Sequence, residues 1–108
     1  MSFKLHVRKS NGMPILEISG ELAGVKVGKI AAELERLRKS RAKTIAVDLS
    51  QTTFIDSHGL GVFVYFWKTF EEQKRELVFL NPPQFLRTMF EGTNLNDVFR
   101  IVDSLEDL

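Results

Sequence analysis

The N-terminal residues alternate between apolar and polar side chains. Phe3, Leu5 and Val7 are each followed by a polar residue, and this period of two is typical of a half-buried strand. A Ser-Asn-Gly turn at 10–12 separates this segment from a second apolar one, 13–19. The pattern predicts two strands that are joined as an antiparallel hairpin.

A change to helical spacing follows the hairpin. The segment 20–24 is predicted to break the second strand, and between Val27 and Leu37 the apolar side chains recur every three or four residues. This stretch predicts an amphipathic helix of about four turns. The short apolar run 44–49 then predicts a central strand that is buried on both faces.

The second half of the chain repeats the alternation of helix and strand. Pro83 suits the first turn of a helix that Gly92 would close. The predicted elements of this half are a polar loop over 50–53, a helix over 59–73, a strand over 76–80, a helix over 83–91, a strand over 98–102 and a short final helix within 103–108.

This order of elements predicts a single α/β domain over residues 1–108. An N-terminal hairpin would lead into alternating helices and parallel strands, because strand–helix–strand units join parallel neighbours by right-handed crossovers. The expected architecture is one mixed β-sheet with helices packed against it. A chain of 108 residues agrees with one domain and one hydrophobic core.

Composition narrows the classes of function. Fifteen Lys and Arg are interleaved with fourteen Asp and Glu, giving a net charge of +1, so no basic block indicates a nucleic-acid partner. The densest basic stretch, 36–43, is interpreted as the solvated end of a helix in preference to a phosphate-binding patch. The absence of cysteine excludes disulfides, thiolate metal sites and cysteine nucleophiles, and it fits a cytoplasmic location.

The sequence predicts no membrane insertion, no metal, no cofactor and no enzymatic activity. The N-terminus has no apolar run of signal-peptide length, and the longest apolar stretch, 59–67, is too short to span a bilayer. Two histidines without cysteine make a poor ligand set, and no Gly-rich nucleotide loop is present. Ser57 and His58 are adjacent, so they cannot face each other on a helix as nucleophile and base.

Ser57 is the candidate site that the residues themselves suggest. It follows a short loop after a buried strand and stands at the start of the predicted second helix. Its hydroxyl is expected to act as the N-cap and to accept a hydrogen bond from the amide of Gly59 or Leu60. A helix N-terminus tolerates an anion, so a phosphate on Ser57 would change the surface without unfolding the domain. From local chemistry alone, an ordinary N-cap is the preferred interpretation.

Five segments together resemble a known family. V-D-L-S at 47–50 is followed by F-I-D-S-H-G-L-G-V at 54–62, and G-E-L stands at 20–22. The segments 77–81 and 95–101 resemble the fourth strand and the ending of the same family. The family is the STAS domain, named for sulfate transporters and anti-sigma-factor antagonists, and the similarity covers nearly the whole chain.

The resemblance implies a switch controlled by phosphorylation. In anti-sigma factor antagonists of this family, the serine that matches Ser57 is phosphorylated by an anti-sigma factor that is also a serine protein kinase of histidine-kinase-like ATPase fold. The unmodified antagonist binds that kinase and frees the sigma factor, the phosphorylated form cannot bind, and a serine phosphatase acts on the phosphorylated Ser57. The predicted partner-binding residues are Glu21, Ala23, Asp56, Ser57, His58, Gly59, Leu60 and Phe66.

Two departures from the family pattern leave alternatives open. His58 stands where a small residue is usual, and it could pair with a phosphate or point into water. Ala23 stands where many antagonists carry an acidic residue, which puts the usual kinase in doubt. The alternative within the same fold is a STAS subunit of a stress-signalling complex or of a lipid-transport ABC system.

The second predicted helix is unusually rich in aromatic residues. Leu60, Phe63 and Trp67 share one stripe, whereas Tyr65 and Phe66 lie largely off it. Either the helix is covered on two sides within the domain, or it presents an aromatic surface to a partner. Phe66 is included among the predicted contacts on the second interpretation.

Overall fold

The alternating N-terminal segments form an antiparallel hairpin in the computed structural model, which describes residues 2–108. Strand β1 covers Lys4–Ser10 and strand β2 covers Met13–Leu22. Asn11 and Gly12 connect them with φ angles of 50° and 81°, the left-handed conformation that a tight hairpin turn requires. The predicted hairpin is therefore confirmed.

The rest of the chain alternates helices and strands much as the pattern predicts. Two single 3-10 turns, Leu95–Asp97 and Leu105–Asp107, flank the last strand. The other elements are α1 (Lys26–Arg38), β3 (Thr44–Asp48), β4 (Thr52–Ile55), α2 (Ser57–Glu72), β5 (Glu76–Leu80), α3 (Gln84–Gly92) and β6 (Arg100–Val102).

The strands form one mixed sheet in the order β1-β2-β3-β5-β6. The β1–β2 pair is antiparallel, and the pairs β2–β3, β3–β5 and β5–β6 are parallel. This confirms the predicted architecture of a hairpin followed by parallel strands with intervening helices. Each parallel strand ends at the same edge of the sheet, so the connections into α1 and α2 meet there.

Two local predictions were wrong at that edge. The segment 20–24 does not end β2 at residue 19, and the loop predicted over 50–53 already contains the start of β4 at Thr52. The cause is Gly20, which has a φ of +91° and marks a shift in register. This glycine lets β2 leave its neighbours and pair in parallel with β4 through residues 20–22.

The hydrophobic core lies between the sheet and the helices. Leu16, Val47 and Phe79 from the strands pack in one buried cluster with Leu34 of α1 and Phe90 of α3. None of the helices within residues 2–108 combines the length and the apolar character that crossing a bilayer requires.

Helix α2 contributes the aromatic part of this core. Its buried stripe is Gly59, Phe63, Phe66 and Phe70, so the stripe predicted through Leu60 and Trp67 was displaced by about one position. Phe66 is only 4% exposed because α2 packs against α1 as well as against the sheet. Its prediction as a partner contact is therefore wrong, and the interpretation that the helix is covered on two sides applies to this residue.

Candidate functional site

The start of α2 is built around a carboxylate. Asp56 is the N-cap, with an extended backbone (φ −90°, ψ 175°), and its Oδ1 accepts a hydrogen bond from the Gly59 amide at 2.8 Å. Ser57 is the first helical residue, so the prediction that its hydroxyl caps the helix was wrong. Because Asp56 satisfies the amide, the side chain of Ser57 is directed elsewhere and the residue is exposed.

Asp56 also connects α2 to the segment between β2 and α1. Its Oδ2 accepts a hydrogen bond from the Gly24 amide at 3.2 Å, and its own amide donates to the Leu22 carbonyl at 3.1 Å. The hydrogen bond from the Gly59 amide, supported by the one from Gly24, lowers the pKa of Asp56 below its usual value. An ionised Asp56 therefore holds the segment 23–25 beside the start of α2.

Gly59 is required at this site by close packing. A Cβ atom added there would stand 2.9 Å from Cγ1 of Ile55 and 3.0 Å from the carbonyl oxygen of Leu22. The glycine of the D-S-x-G motif thus lets the first turn of α2 lie directly against the ends of β2 and β4. This contact fixes where Ser57 stands relative to the sheet.

The exposed residues around Ser57 form a surface of mixed character, here called the Ser57 surface. Glu21 and Phe54 are paired neighbours on β2 and β4, and both are exposed. Phe54 is 48% exposed, and Val25, next to the Gly24 that Asp56 holds, is 87% exposed. The Ser57 surface consists of Glu21, Val25, Phe54, Ser57 and His58.

Sequence reasoning missed Val25 and Phe54. Val25 lies before the apolar helical stripe that begins at Val27. An apolar side chain beside Gly24 and outside that stripe could have indicated an exposed residue. Phe54 and Ile55 form an apolar pair in which the sequence does not distinguish an exposed from a buried residue. The structure separates the two, because successive residues of β4 point to opposite sides and only Ile55 is buried.

Some of the predicted site residues are exposed at the surface, and others lie beneath it and support the site. Glu21, Ser57 and His58 are exposed, whereas Ala23 and Leu60 are half-buried and Gly59 is buried. Leu60 contributes its amide, which donates to the Asp56 carbonyl at 3.0 Å, and its side chain packs on the core.

Two opposing charges act on Ser57: the partial positive charge of the helix N-terminus and the ionised carboxylate of the neighbouring Asp56. The first turn of α2 contains no acidic side chain, and helix N-termini carry partial positive charge. Within residues 2–108 no group of three or more histidine and carboxylate side chains is placed to hold a metal ion. The structure leaves Ser57 exposed at the first position of α2.

Comparisons with known proteins agree on one family. A model of the STAS domain matches residues 4–108. The anti-sigma-B factor antagonist of Listeria monocytogenes is 29% identical over 101 residues, covering 94% of this chain and 88% of that protein.

Two solved structures share the fold. An anti-sigma factor antagonist from Mycobacterium paratuberculosis has a TM-score of 0.88 at 19% identity, over 98% of this chain and 90% of that chain. The Bacillus cell fate determinant SpoIIAA in its phosphorylated form has a TM-score of 0.73 at 21% identity, over 98% of this chain and 96% of that chain.

Proposed function

Because this chain belongs to the STAS domain family, we propose that it acts as an anti-sigma factor antagonist in the cytoplasm. The unmodified protein binds an anti-sigma factor that is also a serine kinase of histidine-kinase-like ATPase fold, and a sigma factor is released. The observation that carries the proposal is the exposed Ser57 at the first position of α2. The curated relatives named as anti-sigma-B factor antagonists support it.

Phosphorylation of Ser57 switches binding off in this proposal. A phosphate adds about −1.5 to −2 charges, which turns the net charge of +1 negative. At an interface that covers Ser57, a like-charge or desolvation clash of about 2–4 kcal/mol weakens binding by tens- to thousands-fold. A serine phosphatase that acts on the phosphorylated Ser57 restores the binding form.

Val25 and Phe54 supply the apolar anchors of the same interface. Buried aromatic and aliphatic side chains contribute most of the energy of protein interfaces; Phe54 is exposed three residues before Ser57, and Val25 is exposed next to the Gly24 that Asp56 holds. Asp56 is the positioning residue, since it holds Gly24 and thereby fixes where Val25 is displayed. The partner would then offer an apolar patch that closes over Ser57 and removes water from it.

Calorimetry with matched variants tests the proposal. The protein is titrated against each histidine-kinase-like anti-sigma factor encoded in its source genome, purified individually. We expect Ser57→Ala to bind like the wild type and Ser57→Asp to bind at least about tenfold more weakly, with thermal stability within about 1 kcal/mol. Asn96→Asp, which adds the same charge at another exposed position, serves as the control and should bind normally.

Two outcomes would contradict the proposal. In the first, Ser57→Asp binds as tightly as the wild type. In the second, no anti-sigma factor of the genome binds the wild type at all. Intact-mass measurement after incubation with the kinase and ATP then reports whether the wild type, but not Ser57→Ala, gains one phosphate.

A second candidate function is a subunit of a larger STAS assembly, either a stress-signalling complex or a lipid-transport ABC system. Two observations favour it: Ala23 supplies no acidic side chain beside Glu21, and Tyr65 of α2 is 64% exposed. Co-purification from the native cell separates the candidates. A membrane permease with its ATPase would support the subunit, and a kinase-fold anti-sigma factor would support the antagonist.

A further inference from the structure

A groove of about 340 Å³ lies at the other end of β2, between the hairpin and the last turn of α1. Its floor is apolar and includes Val7 and Leu37. Its rim is cationic and consists of Lys9, Arg36 and Arg41, and no acidic side chain lines it. We call it the hairpin groove.

The positive charge of the rim is only partly neutralised. Arg36 pairs with Glu33 at 2.5 Å. Neither Lys9 nor Arg41 forms an ion pair with any residue in the range 2–108, and both are exposed. An anionic group in the groove would therefore meet two cations that have no competing carboxylate.

The rim cations are not needed to cap α1. Basic residues often occur near a helix C-terminus because they hydrogen-bond its last carbonyls. Here Arg75 already donates to the carbonyl of Arg38 at 2.7 Å, and the Ser40 hydroxyl donates to that of Leu37 at 2.5 Å. Capping of the C-terminus of α1 therefore does not explain why Lys9 and Arg41 stand at the rim.

We propose that the hairpin groove docks an acidic extended segment of a protein partner, with one apolar side chain on the floor and flanking carboxylates on the rim. The lining of the groove extends from β1 across the hairpin turn to the segment that follows α1, which suits a chain segment. β1 stands at the edge of the sheet, so its outer backbone groups are available to a segment that lies alongside it.

The two surfaces are far enough apart to be occupied together. β2 has ten residues and at about 3.3 Å per residue extends for about 30 Å, close to the longest dimension of the molecule, 29 Å. Gly12 lines the groove at one end of this strand, and Leu22 contacts Asp56 at the other. Binding at the groove is thus independent of the charge on Ser57.

Amide chemical shifts in nuclear magnetic resonance test this site. The probe is a capped pentapeptide with a central Leu between two pairs of Glu, compared with the same peptide carrying Gln. We expect the Glu peptide to shift the amides of Lys9, Gly12 and Ala42, and the double variant Lys9→Glu/Arg41→Glu to bind at least about tenfold more weakly. Ser57→Asp should bind the peptide like the wild type, which separates this inference from the proposed function.

The control is the double variant Lys29→Glu/Lys68→Glu, which makes the same change of charge at exposed positions outside the groove and should bind within about twofold of the wild type. Equal shifts with the Gln peptide, shifts spread over the whole surface, or equal loss in the control variant would overturn the proposal. Shifts at the groove with octanoate and none with the peptide would overturn it too, in favour of a small amphiphilic carboxylate.

Discussion

Two glycines that stand two residues apart in the D-S-x-G-L-G segment have opposite roles, and they give the sharpest prediction at the scale of single residues. Gly59→Ala should destabilise the protein by about 1–3 kcal/mol, because the new Cβ meets Ile55 and the Leu22 carbonyl. Gly61→Ala should stabilise it by about 0.5–1 kcal/mol, since nothing lies within 4 Å of its Cβ and alanine favours helix. Urea unfolding measures both, and equal effects would contradict the packing at Gly59.

The charge of Asp56 should make stability depend on acid. Its folded pKa is lowered, so ionised Asp56 stabilises the fold above its unfolded pKa, about 3.9, and this stabilisation is lost as the pH falls through the folded pKa. Asp56→Asn retains a capping oxygen but no charge. We expect it to be less stable than the wild type at pH 7 and to converge with the wild type once the pH has fallen below the folded pKa of Asp56.

The control for Asp56 is Asp97→Asn, in the turn before β6. At pH 7, the stability of Asp97→Asn should differ from that of the wild type by less than the stability of Asp56→Asn does. A gap between Asp56→Asn and the wild type that stays constant from pH 7 to the most acidic pH at which both remain folded would show that the Asp56 carboxylate is not held by the amides.

The identity of the helix cap shows what residue-level sequence reasoning can and cannot supply. The position of Ser57 at the start of the helix, and hence its candidacy, followed from the motif. The choice between Asp56 and Ser57 did not, because aspartate and serine are about equally good N-caps and stand side by side. Only the position of the Gly24 amide, brought in from a segment more than thirty residues earlier, favours the aspartate.

At the scale of elements, the buried and the exposed face of α2 should respond differently when an aromatic side chain is truncated. Phe66→Ala should cost about 3–5 kcal/mol, because the ring is buried between α2, α1 and the sheet. Tyr65→Ala removes a ring that is 64% exposed and should cost about 1 kcal/mol or less. Chemical denaturation compares the two, and a similar cost for both would mean that the helix is rotated from the described orientation.

Strand β4 shows why element boundaries near the site could not be predicted. Its four residues include two threonines and one exposed phenylalanine, so the segment carries no clear period of two. It forms because Gly20 redirects β2 and because the Thr52 hydroxyl donates to the Ile18 carbonyl at 2.9 Å. The longer elements were predictable because each has its own apolar periodicity, whereas β4 depends on a distant partner.

For the whole molecule, unfolding should be a single cooperative transition. Trp67, the one tryptophan of the chain, packs with its ring centroid 6.2 Å from that of Phe99 just before β6. Phe99 belongs to the core that includes β2 and α1, and the partly buried Trp67 packs against that core. Fluorescence of Trp67 and far-ultraviolet circular dichroism should therefore give coincident urea curves. Midpoints that differ would show that the C-terminal part of the sheet unfolds separately.

Strand β2 changes its pairing partner at Gly20, and this has a further consequence for how the two ends of the protein are connected. This strand joins the two ends of the protein, and it is paired with β1 through residues 13–19, with β3 through 15–17 and with β4 through 20–22. Because it is paired with a neighbour along its whole length, β2 acts as a spacer of limited flexibility, whose one register shift lies at Gly20. Any coupling between the two ends would then have to be electrostatic. Two molecules bound at the two ends would be kept at a constant separation.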